Sequence, residues 1–298
     1  MAALGDMEEG KDEGASRQFI SALARGLDVL RAFRVGDPPL SNQELARRTG
    51  LPRPTISRIA FTLTELGYLS YHQGFGCYEL GGGALVLGHV AQNNFNVVEK
   101  VRPLMQHLAQ FSGMNVGLAH RDRFSMIYVD TVDGPSRIGL RISVGLRIPL
   151  LTTAMGRAYL AVAGDQELAQ LARDMRRKKR IEEADGLSDI VDHARGDLAR
   201  LGFCLSAGDW QNDIHGVAAP IRATGIGGAL AINCGGPAYL LPTSELLSRV
   251  GPEVAETALK IGEVLGSARV GVSSGRSMRA SRSRRGSGDA ERHAVQRA

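Results

Sequence analysis

Cysteine is scarce: Cys77, Cys204 and Cys234 are the three in 298 residues. None stands at Cys-x-x-Cys spacing, so neither a disulfide framework nor a zinc-ribbon ligand set is available. Reduced thiols in a cytoplasmic protein are the simpler reading. Aromatic residues are sparse at 5%, with Trp210 the single tryptophan, although 43% of the chain is hydrophobic. That balance is ordinary for a soluble, core-forming protein. No uninterrupted apolar run approaches the roughly 18 residues that argue for a membrane span. The acidic first 14 residues lack the basic-then-apolar layout of a secretory leader. Catalytic signatures are missing as well: there is no Gly-x-Ser-x-Gly elbow and no P-loop, and no histidine has a convincing acid/base partner. Gly225-Ile226-Gly227-Gly228 has Leu230 where a dinucleotide fingerprint needs glycine, so it reads as a tight turn. Asp209, Asp213 and His215 offer three oxygen or nitrogen donors, but in a loop without fixed geometry. No enzyme, metal or cofactor is expected.

The charge that is present is unevenly placed. Five acids against one lysine fall in residues 1–14, and eight arginines against two acids in residues 267–298. Residues 15–80 hold eight arginines against five acids, which leaves 81–266 near neutrality within a total of +5. A polyanionic partner fits this layout, although charge alone does not establish one. The run Arg176-Arg177-Lys178-Lys179-Arg180 lies apart from the basic N-terminal region and reads as a solvated surface.

Periodicity divides the chain into an acidic tail (1–16), a small helical module with a hairpin (17–80), a linker helix (81–96), a larger mixed domain (97–266) and a basic tail (267–298). Ile20, Leu23, Leu27 and Leu30 recur at helical spacing. After Asp37-Pro38-Pro39, Ser41 and Glu44 form a capping box for a second helix that ends at Thr49-Gly50. A third helix starts near Pro54, buries Ile56, Ile59, Ala60 and Leu63, and stops at Gly67. Two strands, 68–72 and 77–80, follow as a hairpin. Helix, helix, turn, helix, hairpin is the order of a winged helix-turn-helix. Beyond Gly81-Gly82-Gly83 come helices at 84–92 and 97–111 and strands at 116–120, 125–131 and 138–142. Helices are then expected at 153–163, 165–175 and 190–201, strands at 202–207, 215–221 and 228–234, and a closing helix at 244–265. The fold class is α+β: an N-terminal winged helix-turn-helix plus a C-terminal α/β domain large enough for its own core.

A helix that reads DNA buries one face and offers the other to the major groove. Arg53, Thr55, Ser57, Arg58 and Thr62 are left facing outward on the third helix. Arginine suits guanine edges or phosphates, and hydroxyls suit phosphates or bases. Ser41 at the second helix start and Tyr71 near the hairpin tip complete the candidate DNA-binding set. Which of them touches a base and which a phosphate stays open.

The stretch from Leu45 to Arg58, with Leu66-Gly67-Tyr68-Leu69, resembles the DNA-binding domain of IclR-family transcriptional regulators. Val98-Glu99-Lys100-Val101-Arg102-Pro103-Leu104, Val144 to Leu150, and Thr153-Ala154-Met155-Gly156-Arg157-Ala158 resemble the family's second domain. Gly202-Phe203, Val217-Ala218-Ala219-Pro220 and Cys234-Gly235-Gly236-Pro237 continue the match. The resemblance implies a GAF-like effector-binding domain, homodimers that commonly pair into tetramers, pseudo-palindromic operators on double-stranded DNA, and a small-molecule effector that alters DNA affinity. Carried over by position, the effector-binding residues are Ala154, Met155, Ser206, Gly216, Asn233 and Gly235. Ser206 stands where many members have an acid, Gly216 where some have cysteine and Gly235 where some have serine. Few polar anchors remain, which argues against a small, highly polar acid. Trp210 beside Asp209, Gln211, Asn212 and Asp213 suits a larger or aromatic organic acid, and ordinary packing suits it too. The alternative class is a constitutive DNA-binding protein whose second domain only oligomerises.

Overall fold

The computed structural model describes residues 19–94, 97–135, 142–221 and 229–273. Near the N-terminus, α1 (Ser21–Arg31) leads through β1 (Leu40–Ser41) into α2 (Asn42–Thr49) and α3 (Arg53–Glu65). The hairpin strands β2 (Leu69–His72) and β3 (Cys77–Leu80) pair antiparallel, and β1 adds to β3, giving the order β1-β3-β2. With only two residues, β1 shows no alternation in the sequence. Val29, Leu45, Ile56 and Ala60 are wholly buried and pack with Leu40, Leu69 and Tyr78 into one small core. Ile59 and Leu63, expected inward, are half-buried at its edge.

Local chemistry sets these helix ends. The Ser41 hydroxyl accepts a hydrogen bond from the Glu44 N–H at 3.3 Å, as an N-cap should. The reciprocal half of the expected capping box does not form. Glu44 instead accepts from Arg47 (2.6 and 2.8 Å) and Arg48 (2.7 Å), while Arg48 also grips Asp37 and the Ala32 carbonyl. Two guanidiniums outcompete one backbone N–H for a carboxylate because charge-assisted bonds are the stronger. Gly50 (φ 72°) and Gly67 (φ 74°) close α2 and α3 in the left-handed region that a side chain would oppose.

The second domain begins after α4 (Gly82–Asn94) with α5 (Val97–Ser112). Its strands are β4 (Asn115–Asp122), β5 (Ser125–Val132), β6 (Arg147–Pro149), β7 (Cys204–Ala207), β8 (Ile214–Ile221) and β9 (Leu230–Pro237). They form one antiparallel sheet in the order β6-β5-β4-β9-β8-β7. Between β6 and β7 run α6 (Ala154–Val162), α7 (Asp165–Arg177), α8 (Ile181–Asp185) and α9 (Leu187–Leu201). The short β6 and α8 were not expected. The strand expected at 138–142 lies outside the described residues except for Ile142, which is buried, and the Gly225–Gly228 turn lies outside them too. The single closing helix is instead three pieces: α10 (Thr243–Glu245), a π-type turn at Leu246–Val250, and α11 (Gly251–Ser273). At the junction the Phe203 ring covers Gly251, where a Cβ would lie 2.2 Å from its Cζ.

The sheet separates two cores. On one face Val101, Met105 and Leu108 of α5 and Val254, Ala258 and Ile261 of α11 pack on Val116, Leu118, Val217 and Ile232. On the other, Met155, Ala158 and Tyr159 of α6, with α7 and α9 behind, pack on small residues, Ala119, Ala218 and Ala231. A bulge at the β4–β5 pairing places Tyr128 opposite Ala119 but Asp130 opposite Leu118. The extra residue, Val129, exchanges the faces that follow it. Tyr128 keeps the α6 face of Met126, while Asp130 is turned to the other face and receives Arg102 of α5 at 2.8 Å.

Candidate functional site

Two surfaces carry the chemistry, one in each domain. On α3, Arg53, Ser57, Arg58 and Thr62 are exposed and Thr55 is half-buried, while Tyr71 stands exposed on β2 with its ring 4.8 Å from that of Tyr78. Among the described residues, Arg53 and Arg58 carry no ion pair, in contrast to Arg47 and Arg48, which Glu44 and Asp37 already engage. Ser57 donates to the Arg53 carbonyl and accepts from Asn42 Nδ2, and Thr62 donates to the Arg58 carbonyl. These hydroxyls present lone pairs outward rather than protons. Ser41 is half-buried and its hydroxyl serves the helix cap. Phe61 on the same helix and Leu66 at its C-cap are about two-thirds exposed, at 66% and 63%. With Leu23, Leu27, Leu30 and Leu87 they border a groove of about 990 Å³ between α1, α3 and α4. Leu23, Leu27 and Leu30 are the periodic apolar positions of α1, here turned to this groove, whereas Phe61 and Leu66 lie off the apolar face read for α3 and were not foreseen.

In the second domain Ala154, Met155, Ser206, Trp210, Gly216, Asn233 and Gly235, gathered from positions 154 to 235 in the sequence, line one cavity of about 40 Å³. Tyr128, Ile148, Thr153, Ile214 and His215 complete its lining; none of them is among the residues expected at this site. The backbone explains why a cavity forms there. Gly216 on β8 and Gly235 on β9 face each other in register, so the floor lacks two side chains. The first turn of α6 forms the roof. Its cap, Thr153, accepts from the Gly156 N–H at 3.2 Å and donates to the Pro149 carbonyl at 2.7 Å. Gly156 lets the helix descend so far that a Cβ there would meet the Leu150 carbonyl oxygen at 1.8 Å. With the Gly156 N–H taken by Thr153, the N–H groups of Ala154 and Met155, two residues of the lining, are left without an intrahelical acceptor.

The inner wall is polar but carries no fixed charge. Asn233 Nδ2 donates to the Tyr128 hydroxyl at 3.1 Å, and Asn233 Oδ1 is buried without a hydrogen-bond partner. Burial pushes the Tyr128 hydroxyl up to about 12, so it stays protonated. His215 engages the Leu241 carbonyl through Nδ1 at 3.0 Å, and Ser206 donates to the Thr152 carbonyl at 2.9 Å. At the mouth, Arg157 of α6 bonds both the Leu205 carbonyl and Asp209, each at 2.9 Å, holding the Trp210 turn against the helix. Asp209, Asp213 and His215 do not gather around a common point, and no cluster able to hold a metal exists among the described residues. Cys204 and Cys234 are buried free thiols pushed up to about 12 and about 11 by that burial, which suits packing rather than nucleophilic chemistry. No helix among the described residues is long and apolar enough to cross a membrane.

A winged helix with unpaired arginines on its third helix, joined to an antiparallel α/β domain with a small internal cavity, marks a DNA-binding regulator with an effector-binding domain. The chain belongs to the IclR family of bacterial transcriptional regulators. Residues 22–73 match the IclR helix-turn-helix domain and residues 89–263 match the bacterial transcriptional regulator IclR C-terminal domain. An IclR-family regulator from Brucella abortus is 38% identical, with a TM-score of 0.73 over 88% of this chain and 97% of its own. The HTH-type transcriptional regulator TsaQ1/TsaQ2 of Comamonas testosteroni is 29% identical across 84% of this chain and 90% of its own. A Microbacterium hydrocarbonoxydans IclR homologue solved with 4-hydroxybenzoate shares the fold (TM-score 0.61, 19% identity, 83% of this chain and 99% of its own). These relatives are named as regulators, not enzymes.

Proposed function

We propose that this chain binds a pseudo-palindromic DNA operator as a homodimer or a pair of dimers in the cytoplasm, and that an aromatic or other organic acid in the cavity changes its affinity for that operator. Arg53 and Arg58 would supply the principal contacts to guanine edges and phosphates, with Thr55, Ser57, Thr62 and Tyr71 on the backbone or flanking bases and Ser41 fixing the helix start. The exposed leucines of α1 and the exposed Leu85, Val86, Leu87 and Val90 of α4 suit a second copy of the chain, because a contiguous apolar patch marks an interface. A two-fold operator needs two such reading helices.

The sensing half rests on one observation, the unpartnered Asn233 Oδ1 beside Tyr128 at one side of a cavity roofed by a helix N-terminus. A ligand with a carboxylate for the α6 N–H groups and a hydroxyl donor for Asn233 satisfies both, with its ring against Trp210, Met155 and Ile214. The 4-hydroxybenzoate held by the Microbacterium homologue has that combination of groups. At about 40 Å³ the cavity holds a few waters rather than an aromatic ring, so binding requires the Trp210 turn or α6 to move. That displacement is the physical basis of a response.

Selection of bound duplexes from a random library, with Arg58→Ala run in parallel, tests the reading. Enrichment of one inverted repeat by the wild type, relaxed or lost in the variant, is expected. A wild type that enriches no motif, with and without 4-hydroxybenzoate, overturns it.

A further inference from the structure

We propose that an ion-pair latch between α1 and the β4–β5 turn carries the state of the cavity to the winged helix; this rests on the ligand-responsive reading above. Arg123, at the tip of that turn, places Nη1 2.9 Å from Asp28 Oδ1 on α1, across 95 residues of sequence. Arg31 of α1 reaches back to Asp122 at 3.6 Å, and Asp122 accepts from Arg147 of β6 at 2.5 Å. Asp122 is held below the ordinary carboxylate range: burial pushes it upward, but the Arg147 hydrogen bond and the surrounding arginines prevail.

Arg123 occupies the left-handed region at φ 56°, as the two-residue hairpin closed by Asp122 and Ser125 requires. Arg121 Nη1 donates to the Arg123 carbonyl at 2.9 Å and so ties the tip of the turn to β4. Arg121 is fixed in turn from the cavity side. Its Nε lies 3.2 Å from the Tyr159 hydroxyl and 3.1 Å from Glu167, and Tyr159 itself bonds Glu167. Tyr159 sits on α6, little more than one turn beyond the Ala154 and Met155 that roof the cavity, and Arg147 adjoins the cavity-lining Ile148. Both elements that close the cavity thus end on the turn that holds α1. On its far side α1 buries Val29 with Ile56 and Ala60 of the reading helix.

Single exposed ion pairs contribute little stability, so the latch acts by position: it sets the orientation of the winged helix that α6 favours. Asp28→Arg and Arg123→Asp, singly and together, test it in the full chain, since half-exposed residues tolerate reversal. Two readouts apply: affinity for the selected operator, and hydrogen exchange of peptide 21–31 without DNA. Each single reversal should change operator affinity by about two- to fivefold and raise exchange of that peptide, and the double reversal should restore both. Tyr159→Phe, in the other domain, should also raise exchange of peptide 21–31. Wild-type exchange in all variants, or a double reversal that adds rather than restores, overturns the latch. Normal exchange in Tyr159→Phe alone overturns its connection to the cavity. Because the exchange readout needs no DNA, failure of operator binding tells separately against the proposed function.

Discussion

Asn233 and Tyr128 meet over a strand that belongs to neither of them. Nδ2 of Asn233 on β9 donates to the Tyr128 hydroxyl of β5 at 3.1 Å, above Gly117 of the intervening β4. A Cβ at Gly117 would lie 2.1 Å from Tyr128 Cε1 and 2.9 Å from Asn233 Oδ1. Glycine there is what permits the two polar groups to join. Gly117→Ala should force the ring aside and destabilise the domain by about 1–3 kcal/mol, in the range of overpacked cores. Denaturant titration measures the loss; an unchanged midpoint would show that the ring has room to yield.

The mouth of the cavity makes a second expectation. Arg157 bonds Asp209 at 2.9 Å while Asp209 remains partly exposed, so the pair adds little to global stability. Asp209→Ala should leave the thermal midpoint within a degree or two yet release the turn bearing Trp210. Hydrogen exchange of peptide 208–214 should rise, and 4-hydroxybenzoate should bind and leave faster. Exchange at the wild-type rate would mean that Trp210 packing alone holds the turn.

Acid should weaken the winged helix. Hydrogen bonds from Arg47 and Arg48 hold Glu44 down at about 2, from an ordinary 4.5, and the Arg48 hydrogen bond holds Asp37 below the usual carboxylate range. A depressed carboxylate contributes stability that is complete above its unfolded value and is lost as pH falls through its folded one. The contribution of Glu44 should therefore fade between about pH 4.5 and 2. Glu44→Gln should lower the neutral-pH midpoint and flatten this acid limb, read by circular dichroism melts across pH. Parallel limbs in wild type and variant would remove Glu44 from the account.

Much of this was legible in the sequence. Ser41, Gly50 and Gly67 mark helix ends by their chemistry, and the winged-helix elements follow from two periodicities. The seven residues expected at a ligand site converge on one cavity. What stayed hidden has physical causes. Alternation puts Met126 and Tyr128 on the α6 face, but the bulge at Val129 sends Asp130 to the opposite one, and a bulge leaves alternation intact on either side of itself. Three-residue β6 is too short to show a period, and Thr153 reads as a cap before it reads as a cavity wall. The exposed Phe61 and Leu66 look like core positions until the helix is seated. Glu44 leaves the cap for Arg47 and Arg48, three and four residues on, a spacing as legible as the capping box, and geometry alone shows which of the two prevails.

The most direct test of the central claim is operator affinity measured by fluorescence anisotropy with and without 4-hydroxybenzoate and a panel of related aromatic acids, in wild type and in Gly216→Val. Valine suits a strand and fills the cavity floor, where a Cβ at 216 would have its nearest neighbour at 3.4 Å. The account predicts that at least one acid shifts wild-type affinity by about 5- to 150-fold, the usual span of allosteric coupling, and that Gly216→Val binds the operator but does not respond. Operator binding that no acid alters, or that the acids alter equally in Gly216→Val, would contradict it and leave the second domain as an oligomerisation module.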